Sequence, residues 1–183
     1  MRDIELLHPT LQSKYYKLRD LARNRLGLNI KNTNTLRIND EQYALWMKGR
    51  APLDQVNAAL KIANIGPITD KENHIVTKAK NVDDSFHGYG VAFDIAILSP
   101  DGKKIIWDPS SDWNNDGKDD WVQVGQLADE CGLEWGGNWT GMPDPPHYQD
   151  RMGLTIAKLK VAKVISGTCI TDEEIKRALG FIK

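Results

Sequence analysis

No run of about 18 apolar residues occurs anywhere in the 183 residues, so the sequence encodes no membrane-spanning helix. The amino-terminal stretch Met1-Arg2-Asp3-Ile4-Glu5 lacks the apolar core of a secretory signal, and the chain is expected to be made in the cytosol. Cysteine is scarce: Cys131 and Cys169 stand far apart, in no CxxC-type spacing, which removes a disulfide-built scaffold and leaves two reduced, structural thiols as the expectation. An excess of charge is missing too. A net charge of −1 gives no argument for nucleic acid as a partner. Internal repeats and low-complexity tracts are absent, and only four histidines are available for catalysis or metal binding.

What is present is the composition of an ordinary soluble domain, hydrophobic 40% and charged 27%, long enough to bury a core without staples. Leu11, Tyr15, Leu18, Ala22 and Leu26 recur at helical spacing, which predicts a first helix from Thr10, as N-cap, to about Arg25, stopped by Gly27. Short strands are expected at Leu28-Asn29-Ile30 and Thr35-Leu36-Arg37. Asn39 and Gln42 resemble a capping box that opens a second helix, ended by Gly49, and Val56, Ala59, Leu60 and Ala63 predict a third. Val91 to Leu98 is almost continuously apolar and reads as a buried central strand. The turn Ser99-Pro100-Asp101-Gly102 returns it as a hairpin through Lys104-Ile105-Ile106-Trp107. A helix is expected from Trp121 to Glu130, closed by Gly132, and a last one opened by Thr171-Asp172-Glu173-Glu174. Helices alternate irregularly with a small antiparallel sheet, so the expected class is α+β.

Two segments carry chemistry. In Ser85-Phe86-His87-Gly88-Tyr89-Gly90-Val91-Ala92-Phe93-Asp94, a histidine and an aspartate seven residues apart are separated by two glycines. A loop turning back into a strand could bring both onto one metal, although such a pair alone is common among unrelated surface residues. His147 follows in Met142-Pro143-Asp144-Pro145-Pro146-His147-Tyr148, a proline-bounded segment with a carboxylate three positions ahead. Three ligands and an open position are what a catalytic zinc needs. A carboxylate within reach of the nucleophilic water can serve as general base.

Taken together, S-x-H-x-x-G-x-A-x-D at Ser85 to Asp94, W-G-G-x-W at Trp135 to Trp139 and D-x-P-H at Asp144 to His147 resemble the zinc peptidases of the D-alanyl-D-alanine carboxypeptidase and L-alanyl-D-glutamate peptidase group, which includes many phage endolysins. Upstream, Leu36-Arg37-Ile38 with Glu41-Gln42, Lys48-Gly49-Arg50 and Val76-Thr77-Lys78-Ala79 are similar to further family segments. The resemblance covers roughly residues 5–150. It implies zinc on His87, Asp94 and His147, with Asp144 as general base and later proton donor to the leaving amine. Arg37 would lie near the substrate, suited to an oxyanion or a substrate carboxylate, or else form a structural ion pair. Ser85 would hydrogen-bond substrate or cap its loop, and Trp135 and Trp139 would be cleft walls and core. Two departures stand out: the segment between Arg50 and Thr77 is longer than in the resembled pattern, and the family's Arg-Ser is Arg37-Ile38 here.

The implied function is hydrolysis of the L-alanyl-D-glutamate bond of the peptidoglycan stem peptide by a monomeric endolysin that reaches the cell wall after release. The alternatives are a D,D-carboxypeptidase or dipeptidase on D-alanyl-D-alanine and a catalytically silent wall-binding module. Residues 101–150 carry eleven acidic against three basic residues, and 151–183 seven basic against three acidic. Within the acidic part, Asp112, Asn114, Asp116 and Asp120 match a calcium loop, D-x-N-x-D-G-x-x-D, although Gln123 stands where a bidentate Glu is usual and an Asn/Asp/Gly-rich turn explains the string as well. The expected division is a catalytic domain over 1–150 and a helical extension over 151–183. In the extension, Lys158, Lys160 and Lys163 among Leu154, Ile156, Leu159, Val161 and Ile165 would either touch anionic envelope lipids or pack on the core.

Overall fold

The computed structural model describes residues 2–162 and 167–182. Its long helix α1 (Pro9–Leu26) begins one residue before Thr10, and the cap is His8, whose Nδ1 accepts the Thr10 N–H. Proline at the first helical position needs no donor there, and Gly27 ends the helix in the left-handed conformation, φ 69°. A single strand follows, β1 (Asn29–Asn34), in place of two: Thr35-Leu36-Arg37 is a buried connector whose backbone docks on the His87 turn, with Arg37 N–H donating to the His87 carbonyl. Helix α2 (Asn39–Met47) opens one residue earlier than the Asn39 cap implies, because the Glu41 carboxylate takes the Ile38 N–H. Helix α3 (Leu53–Ile62) packs on α2 around Ala44, Val56 and Leu60, a small cluster separate from the main core.

The apolar segment forms the central strand β2 (Ala92–Leu98), with β1 along one edge. Its other edge is shared by the short hairpin partner β3 (Ile105–Ile106) and by β5 (His147–Gln149), and β5 pairs in turn with β4 (Glu134–Trp135). All pairings are antiparallel, in the order β1-β2-β5-β4. Between β3 and β4 lies α4 (Asp120–Gln126), shorter than predicted because a 3-10 turn at Asp129–Cys131 takes over before Gly132. The class is α+β, as the sequence implies.

Strand alternation divides the sheet into two uses. Phe93, Ile95, Ile97 and Tyr148 point toward α1 and pack with Leu11, Tyr15 and Leu18, the Phe93 and Tyr148 rings stacked at 5.6 Å. Asp94, His147 and Gln149 point the opposite way. The last two helices, α5 (Ile156–Ala162) and α6 (Asp172–Ala178), form a second cluster in which Leu154, Leu159, Ile170 and Ile175 cover Tyr89 and Val91, next to the His87 turn. Thr171 caps α6 through a reciprocal box with Glu174, as the sequence predicts. Buried His8 reaches Asp172 at 3.2 Å, tying this unit to α1. Burial of Leu154 and Leu159 accounts for much of the apolar half of the lysine-rich pattern, while Lys158, Lys160 and Val161 are exposed; Lys163 and Ile165 lie outside the described residues. Both cysteines are free thiols. If residues 151–182 share one cooperative unit with the rest, Leu159→Ala should cost about 2–5 kcal/mol, with all probes in urea unfolding moving together. A separate low-denaturant step would show the extension to be independent.

Candidate active site

His87 sits in a 3-10 turn, Phe86–Tyr89, whose glycines are required by space and by backbone conformation. A Cβ on Gly88 would lie 2.3 Å from the Val82 carbonyl oxygen, and Gly90 has φ 68°. Asp94 and His147 are direct cross-strand partners of β2 and β5. The three side chains converge: His87 Nε2, Asp94 Oδ1 and His147 Nδ1 stand 3.2 Å from one another along every edge.

The protons can be placed from the outer partners. His87 Nδ1 lies 2.8 Å from the Thr35 carbonyl, which only accepts, so Nδ1 carries the hydrogen and Nε2 presents a lone pair. Gln149 donates its amide to the Glu134 carboxylate at 2.8 Å, which turns its carbonyl oxygen toward His147 Nε2 at 3.0 Å. That nitrogen therefore donates, and His147 Nδ1 faces inward. Arg37 Nη2 holds Asp94 Oδ2 at 3.2 Å, and its Nη1 is fixed by Gln42 Oε1 at 2.9 Å. Three acceptors thus meet with no hydrogen directed among them from outside, an arrangement that calls for a cation. Tetrahedral bonds of about 2.0–2.1 Å separate ligand atoms by about 3.3–3.4 Å, so the 3.2 Å triangle and its two-nitrogen, one-oxygen donor set fit zinc.

Electrostatics agree with this arrangement. Burial pulls His87 down to about 4, helped by the charge of Arg37, so it stays neutral. Burial acts the same way on His147, but the bond and charge of Asp94 outweigh it and its pKa is raised. Burial would raise Asp94, but the two histidines hold it well below the usual carboxylate range. Asp144 does not join the triangle. It lines the cleft beside it, and burial together with the negative charge of Asp94 pushes its carboxyl up to about 6.

Trp135 holds the Asp144–His147 segment in place. Its indole lies between Gly125 and Gly137, at each of which a Cβ would come within 2.3 Å of the ring, and its Nε1 donates to the Pro145 carbonyl at 2.8 Å. Gly136 completes the support: a Cβ there would lie 2.5 Å from the Asp144 carbonyl oxygen. Trp135 is core, whereas Trp139 is a cleft wall, its ring 4.9 Å from that of His147. Ser85 also lines the cleft, half-buried, one residue before the His87 turn.

Arg37 is buried, and its guanidinium bonds to Asp94 and Gln42, which is the structural ion-pair alternative. The calcium reading of Asp112, Asn114, Asp116 and Asp120 is not supported. Among the described residues, His87, Asp94 and His147 are the set of His, Cys, Asp and Glu side chains whose ligand atoms gather within 4.8 Å. The loop's oxygens serve its own fold: Asp112 accepts the Asp116 and Gly117 N–H groups, Asp116 the Lys118 N–H and the Gln123 amide, and Asp120 the Trp113 N–H. Gln149, Glu134 and the Thr35 carbonyl were missed in the sequence. For Gln149 a signal existed, since H-x-Q on a strand places both side chains on one face.

Comparison with known proteins decides the family. Residues 78–150 match the M15 peptidase family model described as D-alanyl-D-alanine carboxypeptidase. The chain is 34% identical over 143 residues, 78% of its length and 72% of the relative's, to the peptidoglycan L-alanyl-D-glutamate endopeptidase CwlK of Bacillus subtilis (strain 168). This chain belongs to the M15 peptidases. A solved structure, the L-Ala D-Glu endopeptidase ChiX of Serratia marcescens, aligns over 85% of this chain and 86% of its own with 19% identity and a TM-score of 0.43. As an M15 peptidase the chain is an enzyme, a metallopeptidase, of a family that uses zinc. Replacing Gln149 by Ala should weaken zinc binding about 10–100-fold in competition with a chromogenic chelator. Affinity of the unaltered protein should fall as pH drops, because a proton on His147 competes with the metal. Binding that ignored both changes would contradict the tautomers assigned above.

Proposed function

We propose that this M15 peptidase hydrolyses the L-alanyl-D-glutamate bond of the peptidoglycan stem peptide, with zinc held by His87, Asp94 and His147. The observation that carries the proposal is the triangle of inward-facing acceptors with the raised carboxyl of Asp144 beside it. The bond is suggested by the 34% identity to CwlK. Zinc bound there supplies Lewis acidity, which makes water nucleophilic near neutral pH and draws electrons from the scissile carbonyl.

The chain's own residues do the remaining work. Asp144, as a carboxylate, accepts a proton from the attacking water, whose oxygen bonds to the carbonyl carbon. The same carboxyl then returns that proton to the departing amine as the C–N bond breaks. Arg37 keeps Asp94 turned toward the histidines, and Gln149 does the same for His147. Ser85 and Trp139 contact the bound peptide. Resemblance to phage endolysins extends the proposal to lysis of a bacterial host, with the protein acting on the wall after release.

Digestion of purified peptidoglycan by the zinc-loaded protein should create new amino-terminal D-glutamate, detected by mass spectrometry. Asp144→Ala should retain zinc yet lose activity by at least about 100-fold. Release of free D-alanine instead would support the second reading, which the matched family's description favours. Because Asp144 must be ionised to accept a proton, kcat/KM should fall as pH drops through the carboxyl's pKa. A neighbouring cation lowers that value, so about 6 is a ceiling for the acid limb. An acid limb well above 6 would assign the base to another group.

A further inference from the structure

Beyond Asp144 and Trp139 the cleft continues into a side pocket of about 490 Å³ that contains none of the three metal-binding side chains. Asp144 and Gln149 are its links to the reacting centre, Phe86 and Met142 form apolar walls, and Lys78 and Arg151 supply two cations. We infer that Lys78 and Arg151 form a carboxylate-binding subsite for the substrate residue on the amine side of the scissile bond. The inference rests on the endopeptidase reading and adds to it which chemical group of the substrate is recognised, and by what.

The placement follows from the chemistry of Asp144. The carboxyl that protonates the leaving nitrogen must lie beside that nitrogen, and Asp144 lines both the main cleft and the side pocket, so the side pocket is the arm that continues from Asp144 away from the metal-binding side chains and takes the amine-side residue. In a γ-linked D-glutamyl residue the carbon bonded to that nitrogen also carries the free α-carboxylate. A second negative charge is thereby brought close to Asp144. Repulsion between the two would oppose binding unless cations answer it, and this arm provides them.

Arg151 is already oriented for the task. Its Nε donates to Glu134, at 2.8 Å from Oε1, and its guanidinium carbon sits 5.7 Å from the centre of the Phe86 ring. The hydrogen bonds of Arg151 use Nε, and its paired Nη donors, the fork suited to a carboxylate, make none to a described residue. Lys78 is exposed and makes no ion pair or hydrogen bond among the described residues. It directly follows Thr77, where the segment longer than in the resembled pattern ends.

The test compares L-alanyl-γ-D-glutamyl-L-lysyl-D-alanine with the same peptide carrying an α-carboxamide, using the zinc-loaded protein and its K78Q, R151Q and double variants. Unaltered protein should prefer the carboxylate by about tenfold in kcat/KM, mainly through KM, and the double variant should bring the ratio close to one. Binding of the product γ-D-glutamyl-L-lysyl-D-alanine, followed by tryptophan fluorescence, should weaken on amidation for the unaltered protein and not for the double variant. Both replaced side chains are exposed, and unchanged circular dichroism and zinc content would show that the variants fold. Indifference of the unaltered protein to amidation, or an undiminished preference in the double variant, would overturn the subsite while leaving the bond assignment intact. Cleavage of neither peptide at the alanyl bond would remove the endopeptidase reading, and the subsite with it.

Discussion

Three acceptor atoms, His87 Nε2, Asp94 Oδ1 and His147 Nδ1, are held 3.2 Å apart by partners that take or give hydrogen bonds on their far sides. Lone pairs repel, and such a triangle persists in a folded protein only if the surrounding structure over-determines it and a cation or proton satisfies it. The acceptor-only Thr35 carbonyl, the Gln149 amide and the Arg37 guanidinium each remove one alternative, by fixing a tautomer or by occupying the second carboxylate oxygen. The raised pKa of His147 is the protein's response to that concentration of negative potential, and the same potential attracts a metal.

The fold serves this constraint through the period-two geometry of a strand. One face of β2 and β5 carries Phe93, Ile95 and Tyr148 into the α1 core, and the opposite face carries Asp94, His147 and Gln149. A shift of one residue in the β2–β5 register would turn a polar side chain of the triangle into the α1 core and an aromatic toward the cleft, so the apolar core that stabilises the sheet also sets the geometry of the three acceptors. The Asp144–His147 segment, irregular and proline-rich, borrows its rigidity from Trp135, which is clamped between two glycines and bonded to the Pro145 carbonyl.

Much of this was legible in the sequence because it depends on local pattern. The apolar run of β2, the left-handed Gly27 stop, the Thr171 box and the ordered spacing of His87, Asp94 and His147 all survive as read. What escaped depends on partners distant in sequence. Thr35 to Arg37 looks like a strand by residue type, but its backbone is used by the His87 turn, so no ladder forms there. His8 replaces Thr10 as cap because the preceding chain brings Nδ1 to the open donor, and its other nitrogen is met by Asp172 from the far end of the protein. The Asp112 to Asp120 string resembles a cation loop because the residues that suit calcium are also those that fold a tight turn by accepting backbone N–H groups.

Glu134 shows how far such dependence extends. It lies on the short strand β4, exposed enough to pass for an ordinary surface carboxylate, yet its two oxygens receive the Gln149 amide and the Arg151 Nε–H. Because it can only accept, it orients Gln149 so that the carbonyl oxygen meets His147, and it holds Arg151, a residue that lines the side pocket, through Nε. Removing this carboxylate would free the Gln149 amide to rotate and present a donor to His147, which would then favour the tautomer that points a hydrogen into the triangle of acceptors. A single acidic residue outside the recognised motifs therefore sets both the inward-facing lone pair of His147 and the position of Arg151. The acceptor triangle and the adjoining pocket share one structural cause.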